Sequence, residues 1–179
     1  NFRNFMTSLE GISTLAFSSG VVKYVGENED KEKELTKIIT TVLVTFLVFS
    51  TVLGFLIFVF SDFLCAKFFG NNLQYEIVFK VVAIVLPFSV VSVLFVSIIN
   101  GLGSYSKLIY ATIISNIIAL VLTVLLIYEF KLVGALLSTA LNPTILFTIN
   151  FFYVPKELQL LSRINLKQYD FSVLKKLAG

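Results

Sequence analysis

The chain has 179 residues, of which 57% are hydrophobic and 14% are charged, whereas soluble domains average roughly 45–50% apolar residues. It has no His and one cysteine, Cys65, which excludes an internal disulfide and argues against metal or Ser-His chemistry. Its formal charge of +3 arises from short charged blocks between long apolar runs, which is not the pattern of a nucleic-acid-binding face. We therefore expect a helical membrane protein without a metal site or a nucleic-acid partner.

Residues 1–154 are predicted to form an all-α bundle of five transmembrane spans. A span needs about 20 mostly apolar residues to cross a hydrocarbon core of roughly 30 Å. Four runs meet this criterion, namely Ile38–Phe60, Ile77–Ile99, Leu108–Tyr128 and Leu132–Val154. A fifth run, Phe5–Val25, is less apolar and contains Glu10, so we expect it to line something polar. Only short connections separate these runs, and no linker divides the chain into two domains.

Lys and Arg residues are unevenly distributed between alternate connections, which predicts the orientation. One set of connections contains nine of them, in the segment Glu27–Lys37, at Lys107 and after Pro155, and the other set contains three. Because positively charged loops stay cytoplasmic, the first span should enter from the outside. The tail 155–179 alternates basic and apolar residues and is predicted to be a cytoplasmic amphipathic connector. Two alternatives remain open for it, an interfacial helix on an anionic leaflet and an ordinary linker.

Polar residues in the first span share one narrow stripe. They are Arg3, Thr7, Glu10, Thr14 and Ser18. Because a charge at the bilayer centre costs about 2.5–3.5 kcal/mol on insertion scales, Glu10 should face a water-filled cavity, be protonated, or pair with a basic residue of another helix. Arg3 either takes part in the same site or extends its side chain to the interface.

Further candidate contacts lie in the other spans. Lys23 and Lys80 are near span ends, where an ammonium group can reach lipid headgroups or a pyrophosphate. Uncharged polar residues at helical spacing, such as Ser92, Asn100 and Asn142, serve either helix packing or substrate contact. Pro87 and Pro143 fall inside spans and predict kinks.

A set of short motifs, in this order, resembles the Wzx-type flippases, polysaccharide transporters related to the MATE drug exporters. The motifs are Asn1-Phe2-Arg3, Gly20-Val21-Val22-Lys23-Tyr24-Val25, Phe69-Gly70-Asn71, Asn100-Gly101-Leu102-Gly103 and Gly134-Ala135-Leu136-Leu137. The similarity covers essentially the whole chain, and the lipid III flippases and O-antigen flippases are the groups it resembles most.

This resemblance implies about twelve helices in two six-helix lobes around a central cationic cavity. The chain would supply helices two to six, most of one lobe, in the inner membrane of a bacterium. By the same resemblance Arg3 and Lys23 match cationic positions, and Lys80 matches a position that is basic in at least the lipid III group. Glu10 departs from the small residue expected at its position. The predicted substrate-binding residues are thus Arg3, Glu10, Lys23, Lys80 and Asn100.

The expected function is transfer of a polyprenyl-diphosphate-linked oligosaccharide from the cytoplasmic to the outer leaflet by alternating access. The expected partners are this substrate, membrane lipid and the remainder of the chain, with no cofactor. An ion-coupled exporter of amphipathic cations is the alternative, favoured by Glu10 and disfavoured by the basic residues. We do not expect an enzyme, because the aspartates Asp30, Asp62 and Asp170 fall in predicted loops without paired carboxylates or a phosphate-binding glycine loop.

Overall fold

The computed structural model describes residues 2–14, 17–70, 73–153 and 169–177, and every regular element in these ranges is helical. The helices are α1 (Phe2–Ser13), α2 (Ser18–Glu27), α3 (Glu32–Val59), α4 (Ser61–Phe69), a short 3-10 helix (Leu73–Tyr75), α5 (Glu76–Gly101), α6 (Tyr105–Tyr153) and α7 (Phe171–Leu177). The predicted all-α class is therefore confirmed. Three helical segments are long and apolar enough to cross a membrane, and they are Glu32–Val59, Glu76–Gly101 and Tyr105–Phe152.

Helix α5 forms the centre of the bundle. Val78, Val82, Leu86, Val90 and Leu94 are fully buried and recur at the i, i+4 spacing that places them along one side of a helix. Helices α2, α3 and α6 pack around α5, whereas α3 and α6 themselves leave many large apolar side chains exposed. Exposed apolar surface of this extent is what a hydrocarbon environment requires.

Helix α6 reverses direction at Lys131, which has φ 52° and ψ −125°. A Cβ on Gly134 would overlap the carbonyl group of Leu126, although eight residues of a continuous helix would separate the two by about 12 Å. The two arms, 105–130 and 132–153, therefore fold against each other. The reversal lies in the predicted connection Glu129–Lys131, and no non-helical dihedral angles occur at Pro143.

The first predicted span differs from the expectation of one continuous helix. Two shorter helices, α1 and α2, occupy this segment, and Thr14 and Phe17 lie between them outside helical structure. The Thr14 hydroxyl donates to the carbonyl oxygens of Glu10 and Gly11, at 2.9 and 3.3 Å. Thr36, Thr41 and Thr45 make the same kind of bond inside the uninterrupted α3, so this bond alone does not end α1.

Together α1 and α2 nevertheless run along the whole of α5. At one end the ring of Phe2 lies 6.3 Å from the ring of Phe79, measured between centroids. At the other end Gly101 packs so closely on α2 that a Cβ there would lie 2.7 Å from the Val25 side chain. The pair therefore extends over the length of a helix that can itself cross a membrane.

Helix α7 packs on α3 near its N-terminus. The Lys37 ammonium lies 2.6 Å from the Asp170 carboxylate, and the Asp170 backbone N–H donates to the Thr41 hydroxyl at 3.1 Å. Val173 and Leu174 are buried against the core. Residues 155–168 and 178–179 of the predicted tail connector lie outside the described residues.

Candidate substrate cavity

A cavity of about 470 Å³, with several polar residues in a largely apolar lining, opens between α1, α2, α5 and the second arm of α6. Its lining consists of Glu10, Ser18, Ser19, Val22, Ser89, Ser92, Val93, Val96, Ser97, Asn100, Asn142, Pro143 and Leu146. The volume is within the range of about 300–1,000 Å³ that small-molecule sites have. Hydroxyl, amide and carboxylate groups thus face one space inside an otherwise apolar bundle.

Each contributing helix presents these groups for a local reason. On α5 the spacing from Ser89 through Ser92 and Ser97 to Asn100 follows the i, i+3, i+8, i+11 pattern of a single helix face. The interruption between α1 and α2 places Glu10 near the end of one helix and Ser18 in the first turn of the next. Both residues therefore reach the cavity from opposite sides of the same interruption.

The serine hydroxyls of α5 differ in their bonding. Ser89 donates to the Leu86 carbonyl and Ser97 to the Val93 carbonyl, each at 2.9 Å, so both are satisfied by their own helix. The Ser92 side chain is 2% exposed, and its Oγ has no partner among the described residues. An unpaired buried hydroxyl is costly, so Ser92 is prepared to bond a group that enters the cavity.

The cavity has an acidic character. Glu10 is the one ionisable side chain that lines it within the described ranges, and the two ion pairs found there join Lys37 to Asp170 and Lys80 to Glu76. No described cation therefore pairs with the Glu10 carboxylate.

Two of the five predicted site residues line the cavity, and the other three lie outside it. Glu10 and Asn100 line the cavity together. Arg3 is exposed on α1, and Lys23 is exposed on α2 with its ammonium 5.9 Å from the centroid of the Tyr24 ring. Lys80 pairs with Glu76 one turn earlier and lies 6.0 Å from the centroid of the Phe58 ring. A role of any of the five in substrate binding stays a prediction.

Sequence reasoning missed two polar residues of the lining, Ser19 and Ser97. Ser97 could have been found by helical spacing, because it lies two turns after Ser89 and one turn before Asn100. Ser19 had no such signal, because it follows the interruption between α1 and α2 and an uninterrupted helix would turn it away from the polar stripe.

Three helices that are long and apolar enough to cross a membrane indicate a helical membrane protein. The model of a family described as polysaccharide biosynthesis protein matches residues 4–173. The chain therefore belongs to this family of polysaccharide biosynthesis proteins. The predicted resemblance to the Wzx-type transporters is confirmed at the level of the family. No match was found to a curated protein or to a solved structure.

Proposed function

We propose that the protein flips a polyprenyl-diphosphate-linked oligosaccharide from the cytoplasmic to the outer leaflet by alternating access. The observation that carries this proposal is a cavity with serine, asparagine and glutamate residues in its lining, inside an apolar bundle of the polysaccharide biosynthesis family. A sugar offers many hydroxyl groups, each of which donates and accepts hydrogen bonds, and the serine and asparagine side chains of the cavity do the same. The lipid tail needs no protein site, because it remains in the bilayer.

The proposed topology has five crossings. Helices α3 and α5 supply two, the arms of α6 on either side of Lys131 supply two, and the α1–α2 pair supplies the fifth because it runs the length of α5. With the basic segment before α3 in the cytoplasm, Ser97, Asn100 and the start of α2 lie toward the cytoplasmic end. The cavity is thus on the side from which the substrate arrives.

The charged residues have separate proposed roles. Lys23 lies next to Val22 of the cavity lining, at the predicted cytoplasmic end, and would receive the diphosphate. Arg3 lies at the opposite end of the α1–α2 pair, where its planar guanidinium would bind the diphosphate through two hydrogen bonds. Lys80 would exchange its Glu76 carboxylate for a phosphate oxygen.

Depletion of the full-length protein in its host tests the proposal. The lipid-linked oligosaccharide should then accumulate on the cytoplasmic leaflet, which an impermeant glycan-modifying reagent applied to right-side-out and inverted membrane vesicles would detect. A normal distribution between the leaflets in depleted cells would refute the proposal.

Export of amphipathic cations is the second candidate, because the cavity has one carboxylate and no basic side chain among its lining residues. It predicts that depletion sensitises the cells to cationic drugs while lipid-linked sugars stay normally distributed. The family membership favours the oligosaccharide.

A further inference from the structure

We infer that the cavity is a charge-selective sugar subsite, which accepts neutral or amine-bearing sugars of the transported glycan and disfavours sugars that carry a carboxylate. Glu10 is the residue that determines this selectivity, and Ser92 supplies binding that does not depend on charge. The inference rests on the proposed function, since it names the part of the substrate that the cavity contacts.

The polar groups of the lining suit a sugar ring better than a phosphate. Ser18, Ser19, Ser92 and Asn100 line the cavity, but no Lys or Arg of the described ranges does. Anion sites in proteins are built from cationic side chains or from several backbone N–H groups, and Arg is preferred where phosphate is bound. The diphosphate of the substrate therefore has its partners elsewhere, and the sugar is left to the cavity.

Ser92 provides the independent sign of a ligand. Its Oγ is buried and without a partner, whereas the neighbouring Ser89 and Ser97 hydroxyls are occupied by carbonyl groups of their own helix. A sugar hydroxyl in the cavity would complete the hydrogen bonding of Ser92.

Glu10 gives the subsite its charge preference. A carboxylate accepts hydrogen bonds from neutral sugar hydroxyls and attracts an ammonium substituent, but it repels a second carboxylate. No Lys or Arg of the described ranges lines the cavity, so none lies beside Glu10 there to offset the repulsion.

The test uses the full-length protein in proteoliposomes and three polyprenyl-diphosphate disaccharides that differ in one substituent, a hydroxyl, an amine or a carboxylate. We expect the wild type to flip the carboxylate-bearing lipid slower than the neutral one by roughly tenfold or more. Glu10→Gln should abolish this difference, and Glu10→Asp should keep it because the charge remains. Glu27→Gln is the matched control, since it removes one negative charge from an exposed position outside the cavity.

A second pair of variants tests the part of sugar binding that does not depend on charge. Ser92→Ala should slow the flipping of all three lipids by a similar factor, roughly two- to tenfold, through loss of one hydrogen bond. Ser50→Ala is its control, because Ser50 is also a buried serine but lies on α3 and donates to the Leu47 carbonyl.

The possible failures are distinguishable. Equal flipping rates for the three lipids in the wild type would overturn the proposed charge selectivity and leave the flippase proposal standing. The same holds if the preference for the neutral lipid survives Glu10→Gln. Loss of all transport in Glu10→Gln and Glu10→Asp alike would also overturn it, because the residue would then serve folding or the transport cycle itself. Failure of the wild type to flip any of the three lipids would refute both proposals.

Discussion

The close approach of α3 to α5 at Gly54 yields a quantitative prediction about stability. A Cβ built on Gly54 would lie 2.6 Å from the backbone carbonyl oxygen of Ala83 on α5. That is about 0.8 Å short of the 3.4 Å at which ordinary van der Waals contact begins, and a backbone atom of a packed helix cannot move aside as a side chain can. Gly54→Ala must therefore push α3 away from the central helix.

The change in the free energy of unfolding that Gly54→Ala causes has two opposing contributions. Overpacking of a close contact destabilises a protein by about 1–3 kcal/mol. Replacing Gly by Ala inside a helix stabilises it by about 1 kcal/mol, because alanine has less backbone freedom to lose. Gly11 of α1 isolates the second contribution, since it is exposed and a Cβ there would meet nothing within 4 Å. The free energy of unfolding should thus differ by about 1–3 kcal/mol between Gly54→Ala and Gly11→Ala.

Thermal unfolding in detergent micelles measures this difference. For chains of this size about 1 kcal/mol corresponds to a shift of roughly 2–4 °C in the midpoint, so Gly54→Ala should unfold several degrees below Gly11→Ala. Gly11→Ala itself should match or slightly exceed the wild type. Equal midpoints for the two variants would refute the packing of α3 against α5 at this position.

Three further predictions concern the reversal in α6, the contact of α7 and the diphosphate. Gly134→Ala should prevent the arms of α6 from closing, because its Cβ would overlap the Leu126 carbonyl, and the yield of monodisperse protein should fall while Gly11→Ala retains it. The Lys37 ammonium and the hydrogen bonds from Ser172 lower the pKa of the Asp170 carboxyl. The paired carboxylate therefore stabilises the fold at pH values above the unfolded-state pKa of about 4. This stabilisation is lost as the pH falls below that value. Asp170→Asn should accordingly unfold at a lower temperature than the wild type at pH 7, and the two midpoints should converge in acid; a constant gap would contradict the role of the ion pair. Arg3→Ala should abolish transport without lowering the amount of protein in the membrane, and unchanged transport would exclude Arg3 from the diphosphate site.

The long apolar segments were predictable because hydropathy alone determines them. The predicted spans Ile38–Phe60 and Ile77–Ile99 correspond to α3, Glu32–Val59, and α5, Glu76–Gly101. Helix α3 begins before its apolar run because Glu32 and Glu34 in its first turn interact favourably with the positive end of the helix dipole. Hydropathy reports where a membrane can be crossed, while capping and charge set where the helix itself begins.

The interruption of the first span was not predictable from periodicity. The stripe from Arg3 to Ser18 fits one continuous helix, and each of its polar residues tolerates that conformation. The chain instead leaves helical geometry at Thr14 and Phe17, and α2 packs against α5. Helix propensities differ by less than about 1 kcal/mol per residue, so tertiary packing decides such a case.

Sequence reasoning identified individual residues of the cavity but could not predict that they line one space. The cost of an intramembrane carboxylate singled out Glu10, and helical spacing singled out Ser92 and Asn100 as either packing or contact residues. Which of these polar faces meet depends on how α1, α2, α5 and α6 are rotated about their axes, and periodicity within one helix carries no information about that rotation.

The separation of the cations from Glu10 bears on how a substrate with two chemically different parts could move. Lys23 and Arg3 lie at opposite ends of the α1–α2 pair, and the acidic cavity lies along the same pair between them. A diphosphate that passed through this cavity would have to approach the Glu10 carboxylate, which is unfavourable in an apolar bundle. Under the proposed function the sugar therefore uses the cavity, while Lys23 and Arg3 bind the diphosphate outside it. The two cations then serve successive stages of one transfer, and neither needs to lie in the sugar subsite.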